Sequence, residues 1–441
     1  MHVDDKTLYD LDIINRYENE SLLHYLDFTT TSGGKDWLRY FVKLPFSDID
    51  AIRDRQRLLR HMQDKPLPPN ISNGTMMIMD KFYYSPMTNI PSSASLIDIA
   101  AFKWLSRPDY VLLRYSIEHL SRFVFGMEKV YDLYAPECPS QELSSLLEGV
   151  GKALALPFFK QMGKKGRRIE KGAKLTAREV IKTGYRLYQY TEKTAMKLME
   201  EAFLKIDAWA SMAKAVHVHQ LTFPEMVESE MPVLEASQLY HPLLASPVAY
   251  DLALGQEENF LFLTGANMAG KSTFIRAVGI GLYMASLGMG VPALAMKVST
   301  FDGLLSNIEV TDNTMNGESY FFNEVQRVKV IVEKIKKGSK WLILIDELFK
   351  GTNILDAMKC STTVVEGLRK VGYSIFILST HLYEIGEPLK KYRNIQFRYF
   401  ETKVEEDNLI FSYQLRDGIS NDRLGYLILQ REKVTDLLNK L

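Results

Sequence analysis

Cysteine is nearly missing from this chain: two of 441 residues, Cys138 and Cys360, lie far apart. Neither a disulfide scaffold nor a cysteine-based metal centre can be built from them, and a reducing compartment is expected. An excess of either charge is missing as well. Lys plus Arg (54) equals Asp plus Glu (54), so no global basic field announces nucleic acid, and any such partner must be met by a local patch. Long apolar runs are scarce. Residues 277–296 hold 20 consecutive uncharged residues, near the length that crosses a bilayer. Gly279, Gly281, Gly288, Gly290 and Pro292 interrupt them, so the expectation is a buried helix followed by a turn, with no membrane partner. The opening Met-His-Val-Asp-Asp-Lys lacks the basic-then-apolar order of a secretion signal, and a cytoplasmic location is expected. Internal repeats and low-complexity tracts are also lacking.

What is there is an ordinary globular composition, 46% hydrophobic and 24% charged, long enough for two or three domains. Residues 1–232 are dominated by helical spacing: Leu8, Leu11, Ile14, then Leu22, Leu23, Leu26, and later Leu198, Ala202, Ile206, Trp209 and Met212. A Pro-containing segment, 221–232, breaks that pattern. From 233 to 441, short apolar runs at 260–264, 341–345 and 374–379 alternate with helical stretches, the pattern of a parallel sheet covered on both faces. Between residues 160 and 186 ten basic residues face two acidic ones. Gly163, Gly166 and Gly172 among them suggest a flexible turn. A solvated basic loop and a contact to a phosphate backbone, with Lys164, Lys165, Arg167 and Arg168 as the candidate DNA contacts, both fit that composition.

Residues 265–272 read Gly265-Ala266-Asn267-Met268-Ala269-Gly270-Lys271-Ser272, and Thr273 follows. The octet satisfies the P-loop pattern, with a strand-like run before it and a helix start after it. The two outer glycines let successive N–H groups point at phosphate oxygens, and the helix N-terminus adds positive charge. Lys271 is expected to neutralise the β and γ phosphates of ATP, and Ser272 to hold Mg²⁺. An apolar run ending in Asp346-Glu347 places two carboxylates where burial is costly unless a cation or water chemistry uses them. Asp346 is the second Mg²⁺ candidate, and Glu347 the general base. His381 closes a third strand-like run, where ligands gather in such sheets, and is a γ-phosphate sensor candidate. His217 and His219 have no third ligand nearby, which argues against a metal site there.

Four segments in order resemble the MutS group of mismatch-repair ATPases, within the ABC-type class. They are Thr264 to Thr273 with its Asn267-Met268 pair; the frame Gly317-x-Ser319-x-Phe321-x-x-Glu324; Asp346-Glu347 leading to Gly351-Thr352; and Ser379-Thr380-His381. Residues 26–38, Leu44-Pro45 and Arg55-Gln56 look like the start of the family's core helical domain. Residues 198–215 are similar to its lever helix, and Tyr240-His241-Pro242 to its entry into the nucleotide domain. The resemblance implies an α plus α/β protein: an N-terminal all-helical core/lever domain over residues 1–232, its clamp reduced or absent, followed by an ABC-type P-loop ATPase domain over 233–441 with a mainly parallel sheet. It leaves no room for a mismatch-reading or connector domain and implies no unit after the last family motif, around Gly418 to Gly425. Three positions depart from the family pattern. Val248 stands where an adenine-stacking aromatic is usual, Glu318 where a basic residue often precedes the serine, and Asn353 where a hydroxyl residue follows Thr352.

The function implied is an ATP-hydrolysing homodimer in which Ser319 of one copy closes the P-loop site of the other, coupling ATP turnover to DNA binding in repair or recombination. The competing reading is an ATP-gated scaffold for a protein or structured nucleic acid with weak or vestigial hydrolysis. Intact Lys271, Ser272, Asp346 and Glu347 argue against it. An SMC-type or transporter ATPase is disfavoured by the lack of a Leu-Ser-Gly-Gly-Gln signature and of a long coiled coil.

Overall fold

A computed structural model describes the chain except for residues 16, 85–89, 309–319, 336–337, 406–407, 421–433 and 439–441. Two compact units result. The first takes Met1–Tyr25, Leu44–Arg53 and Gln220–Leu441; the second takes Leu26–Lys43 and Asp54–His219.

The strands lie in the first unit. In chain order they are β1 (His2–Val3), β2 (Glu225–Val227), β3 (Leu234–Leu239), β4 (Tyr250–Leu254), β5 (Phe260–Thr264), β6 (Ala295–Ser299), β7 (Gly303–Asn307), β8 (Trp341–Asp346), β9 (Ile375–Ser379), β10 (Ile395–Glu405) and β11 (Asn408–Asp417). Seven form the main sheet in the order β1-β7-β8-β9-β5-β10-β11, parallel except for β11. Every residue of β5, β7, β8 and β9 is buried, as strands covered on both faces require. Helices Lys271–Ser286, Tyr320–Lys334 and Ile354–Leu368 supply the crossovers that parallel pairing needs. Phe260 stacks on Phe376 at 5.7 Å in the core beneath the sheet. The smaller sheet runs β2-β6-β3-β4, and β4 alternates buried and exposed residues, the mark of one dry face.

The expected boundary at 232/233 differs from these units. Residues 1–25 lie in the sheet unit because β1 pairs with β7, His2 opposite Gly303, and covers an edge that would otherwise expose unpaired backbone. Of Leu8, Leu11 and Ile14, only Leu8 lies within the short helix Asp5–Asp10, and Leu11, at its C-cap, fills the space beside Gly279, where a Cβ would come within 2.7 Å of it. The apolar run at 277–296 divides into the end of helix Lys271–Ser286, a turn and the start of β6. Among the described residues no helix is long and apolar enough to cross a membrane.

The second unit is helical. Its longest element, Tyr190–Val218, contains the stretch read as a lever. Buried Asp207 on that helix accepts hydrogen bonds from the Thr30 and Thr31 backbone N–H groups and, at 2.7 Å, from the Thr31 hydroxyl. Gly34 leaves the room this requires, since a Cβ there would fall 2.1 Å from the carboxylate. Phe41 stacks on Trp209, two residues further along, ring centroids 5.4 Å apart.

The basic segment is ordered differently from expectation. Gly163 and Gly166 lie inside helix Pro157–Glu170, not in a turn. A Cβ on Gly166 would sit 2.1 Å from the backbone oxygen of Ser121, and one on Gly163 would sit 2.0 Å from the Glu128 carboxylate. These glycines let two helices approach closely. Only Gly172, at φ +86°, makes a turn, before helix Ala177–Leu187. Gly166→Ala should therefore destabilise the protein by roughly 1–3 kcal/mol through overpacking despite its better helix propensity. Thermal unfolding checks this; a gain in stability would mean that the helices do not pack this closely.

Candidate functional site

The loop after β5 turns on three left-handed residues, Gly265 (φ +143°), Met268 (φ +67°) and Gly270 (φ +105°). Gly270 is also the N-cap of helix Lys271–Ser286, and no side chain caps that helix. Its first-turn N–H groups and positive dipole end are thus available to an anion. Lys271 is buried, and its Nζ donates to the carbonyl oxygens of Gly265 and Ala266, both at 2.9 Å. Burial brings its ammonium down to about 8, partly opposed by the Glu347 and Asp346 carboxylates.

Those carboxylates end β8, and Asp346 is paired in register with Ser379 of β9, whose hydroxyl donates to it. Glu347 leaves the strand at φ +62°, its N–H donating to the Ser379 carbonyl at 3.0 Å. The turn directs its carboxylate to His381 Nε2, 2.6 Å away, and to Lys350 Nζ at 2.9 Å. His381 Nε2 is in turn 3.4 Å from Lys271 Nζ. Burial alone would push Glu347 upward, but the hydrogen bonds and charges of His381 and Lys350 outweigh it and hold the carboxyl at about 2. The structure thus brings Lys271, Asp346, Glu347 and His381 together at the C-terminal ends of neighbouring strands.

Lys271 and Glu347 border a cavity of about 420 Å³ whose walls include Leu244, Val248, Tyr250, Ser272, Thr273 and Tyr413. A larger cavity of about 990 Å³ lies elsewhere, lined by residues such as Val233, Glu257 and Tyr392. It holds none of the phosphate-binding geometry. Val248 stands on the wall of the smaller cavity. Tyr413 of β11 faces the same space, 3.4 Å from where a Gly270 Cβ would be. Sequence reasoning missed Tyr413, because a tyrosine in a strand more than 140 positions after the P-loop carries no local signal. The donor set suits a triphosphate with a hard cation: helix N–H groups, one buried ammonium, the Ser272 hydroxyl and the Asp346 carboxylate.

Glu324, from the frame that contains Ser319, has a definite place. Its carboxylate is buried and accepts from the N–H of Lys350 at 3.3 Å and Gly351 at 3.5 Å. It braces the loop carrying Glu347 and Lys350, in which Phe349 also has a positive φ of 61°. Desolvation raises its pKa, those backbone N–H groups opposing the rise. Asn353 caps helix Ile354–Leu368 by accepting from the Asp356 N–H at 3.0 Å, a role that a hydroxyl side chain also fills. Gly317, Glu318 and Ser319 lie outside the described residues.

The candidate DNA contacts sit in the helical unit. Lys165 Nζ donates to the Thr183 hydroxyl at 2.6 Å, and burial lowers its pKa. Arg168 pairs with Glu179 at 2.7 Å, and Arg167 lies 3.6 Å from Glu128. Lys164 is exposed, as are Lys160, Lys171, Lys174, Arg178 and Lys182.

Residues 261–436 match the family MutS domain V, a span that takes in the P-loop, the Asp346-Glu347 turn and His381. The chain is also similar to DNA mismatch repair proteins MutS. With that of Petrotoga mobilis it shares 29% identity over 245 residues, 54% of this chain and 29% of the relative. With that of Pseudothermotoga lettingae it shares 31% over 231 residues, 52% of this chain and 28% of the relative. With that of Thermus thermophilus it shares 29% over 277 residues, 61% of this chain and 32% of the relative. The matches thus span under a third of these relatives' lengths. The chain is MutS-like, its sheet unit containing the match to MutS domain V.

The ion pairs of Glu347 have a pH signature. Its folded pKa lies below the unfolded value of 4.5, so its contribution to stability is complete above that value and is lost as pH falls toward about 2. Denaturant unfolding of the wild type and Glu347→Gln should show a stability difference that is constant above about pH 5 and narrows below about pH 4. A difference that stays constant into the acid range would show that His381 and Lys350 do not hold the carboxyl down.

Proposed function

We propose that this MutS-like chain is an ATPase that binds Mg²⁺·ATP at residues 265–273, hydrolyses it in composite sites shared by two copies, and couples turnover to DNA binding. One observation carries the reading: Lys271, His381 and Glu347 converge at the mouth of a P-loop. A triphosphate seated on the helix N-terminus offers Lys271 stronger acceptors than the Gly265 and Ala266 carbonyls. His381, 2.6 Å from Glu347, is placed to follow the γ-phosphate. Mg²⁺, held by Ser272 and Asp346, supplies charge neutralisation when bound.

Glu347 is then the controlled element. While His381 and Lys350 grip it, a carboxyl at about 2 is a poor proton acceptor. Once His381 turns to the phosphate, one of those two restraints is lost, so burial counts for more and raises the basicity of Glu347 toward what a general base needs. Hydrolysis is thereby tied to a correctly seated γ-phosphate. Tyr413 and Val248 are the walls against which the nucleobase would rest. Ser319 is assigned, from the resemblance, to the partner copy's nucleotide.

Subunit mixing tests the composite site. Lys271→Ala and Ser319→Ala proteins should each be nearly inactive, and mixing them should restore ATP hydrolysis, because one of the two sites then carries neither lesion. A mixture that exchanges subunits yet stays inactive would refute the shared site.

The basic helices of residues 157–187 are the proposed DNA surface. Lys165 and Arg168 are already engaged within the unit, so the exposed Lys160, Lys164, Lys171 and Lys174 are the informative set. Replacing these four by Ser should flatten the log–log salt dependence of duplex binding by roughly two to four units, at about 0.9 per phosphate neutralised, and leave basal hydrolysis intact. Parallel salt titrations of equal affinity would return the segment to an ordinary solvated surface.

A further inference from the structure

The first ten residues are bonded to the end of β7 and to the helix Tyr320–Lys334 by a polar network that the proposed ATP cycle does not use. Thr7 Oγ1 accepts from the Ser306 N–H at 2.9 Å. Asp10 Oδ2 accepts from the Ser306 hydroxyl at 2.6 Å and from the Ile308 N–H at 3.0 Å. The Ser306 carbonyl accepts from Arg327 Nε at 2.9 Å, and the same guanidinium pairs with Asp4. Asp4 also caps the helix Asp5–Asp10 by accepting from the Thr7 N–H. Thr7, Asp10 and Ser306 are buried.

Ile308 is the last described residue before 309–319, and Arg327 lies in the second turn of the helix that follows. One short N-terminal helix therefore holds both flanks of the segment that carries Ser319. An apolar contact could anchor the strand end. A carboxylate that accepts from Ser306 and Ile308 together also sets the direction in which the backbone leaves β7, because hydrogen bonds are directional and unsatisfied buried groups are costly.

We infer that Asp4, Thr7 and Asp10 are positioning residues for the Ser319 segment, and that through it they act on the nucleotide bound by a second copy of the chain. The inference rests on the composite-site reading above. A rival route starts from the same stretch: Asp12 pairs with Arg276 at 3.2 Å, on the P-loop helix, and would act on the chain's own nucleotide.

Subunit mixing separates the two. Asp10→Ala should lower kcat by roughly 3- to 30-fold while ATP affinity, measured by calorimetry, stays within about twofold. Mixed with Lys271→Ala it should regain activity, since one composite site is then intact. Mixed with Ser319→Ala it should not, since both lesions strike the same side of the site. Restoration by Ser319→Ala but not by Lys271→Ala would assign the N-terminal stretch to its own P-loop and overturn the inference. So would an unchanged kcat in Asp10→Ala. The Lys271→Ala with Ser319→Ala mixture run alongside reports on the composite site itself: its failure overturns the underlying reading, whereas its success with the reverse Asp10 pattern overturns the inference alone. Should Asp10→Ala not fold, Asp4→Asn retains a side chain that caps the helix and removes the charge facing Arg327. It is held to the same pattern.

Discussion

A positive charge buried at the end of an apolar sheet is the constraint on which the sheet unit depends. The Lys271 ammonium is taken out of water at the mouth of β5, between strands whose every residue is buried, and such a charge must be met by acceptors on all sides. Two loop carbonyls meet it from below, which is possible only because Gly265 and Gly270 turn through left-handed conformations. Carboxylates from β8, on the far side of β9, meet it through space, and one of them is held by a histidine that follows β9. β5, β8 and β9 thus each lead into a group of one contact network. Strand order and register are part of the site's electrostatics.

The same economy underlies the proposed sensing of a phosphate ligand. Lys271 bonds to loop carbonyls and His381 to Glu347, contacts that in the proposed cycle a phosphate would replace with stronger ones. Glu324 braces the loop that carries Glu347.

Much of this was legible in the sequence. The P-loop octet, the Asp346-Glu347 strand end and His381 each follow a local pattern of residue types, and local patterns survive without knowledge of the fold. What was not legible depends on distant pairings. Tyr413 reaches the cavity because β11 folds back on β10. Gly163 and Gly166 look like turn residues until the helix packed on them is known. The first 25 residues carry helical spacing and yet complete the sheet, because a two-residue strand leaves no periodicity to read. Asn353 departs from the family's hydroxyl without consequence for the helix it caps.

That edge strand bears on how the chain acquires its shape. His2 finds its partner at Gly303, so during synthesis the first strand waits until some three hundred further residues have emerged, roughly 15–60 s at about 5–20 residues per second. Residues 26–219 contain the whole of the helical unit, whose contacts can form within that interval. The sheet closes late and over long loops, a topology that folds slowly. A ribosome-bound intermediate with its helices formed and its sheet open is the natural order of events for such a chain, and its unpaired N-terminal stretch is the part most exposed to chaperones and proteases in the meantime.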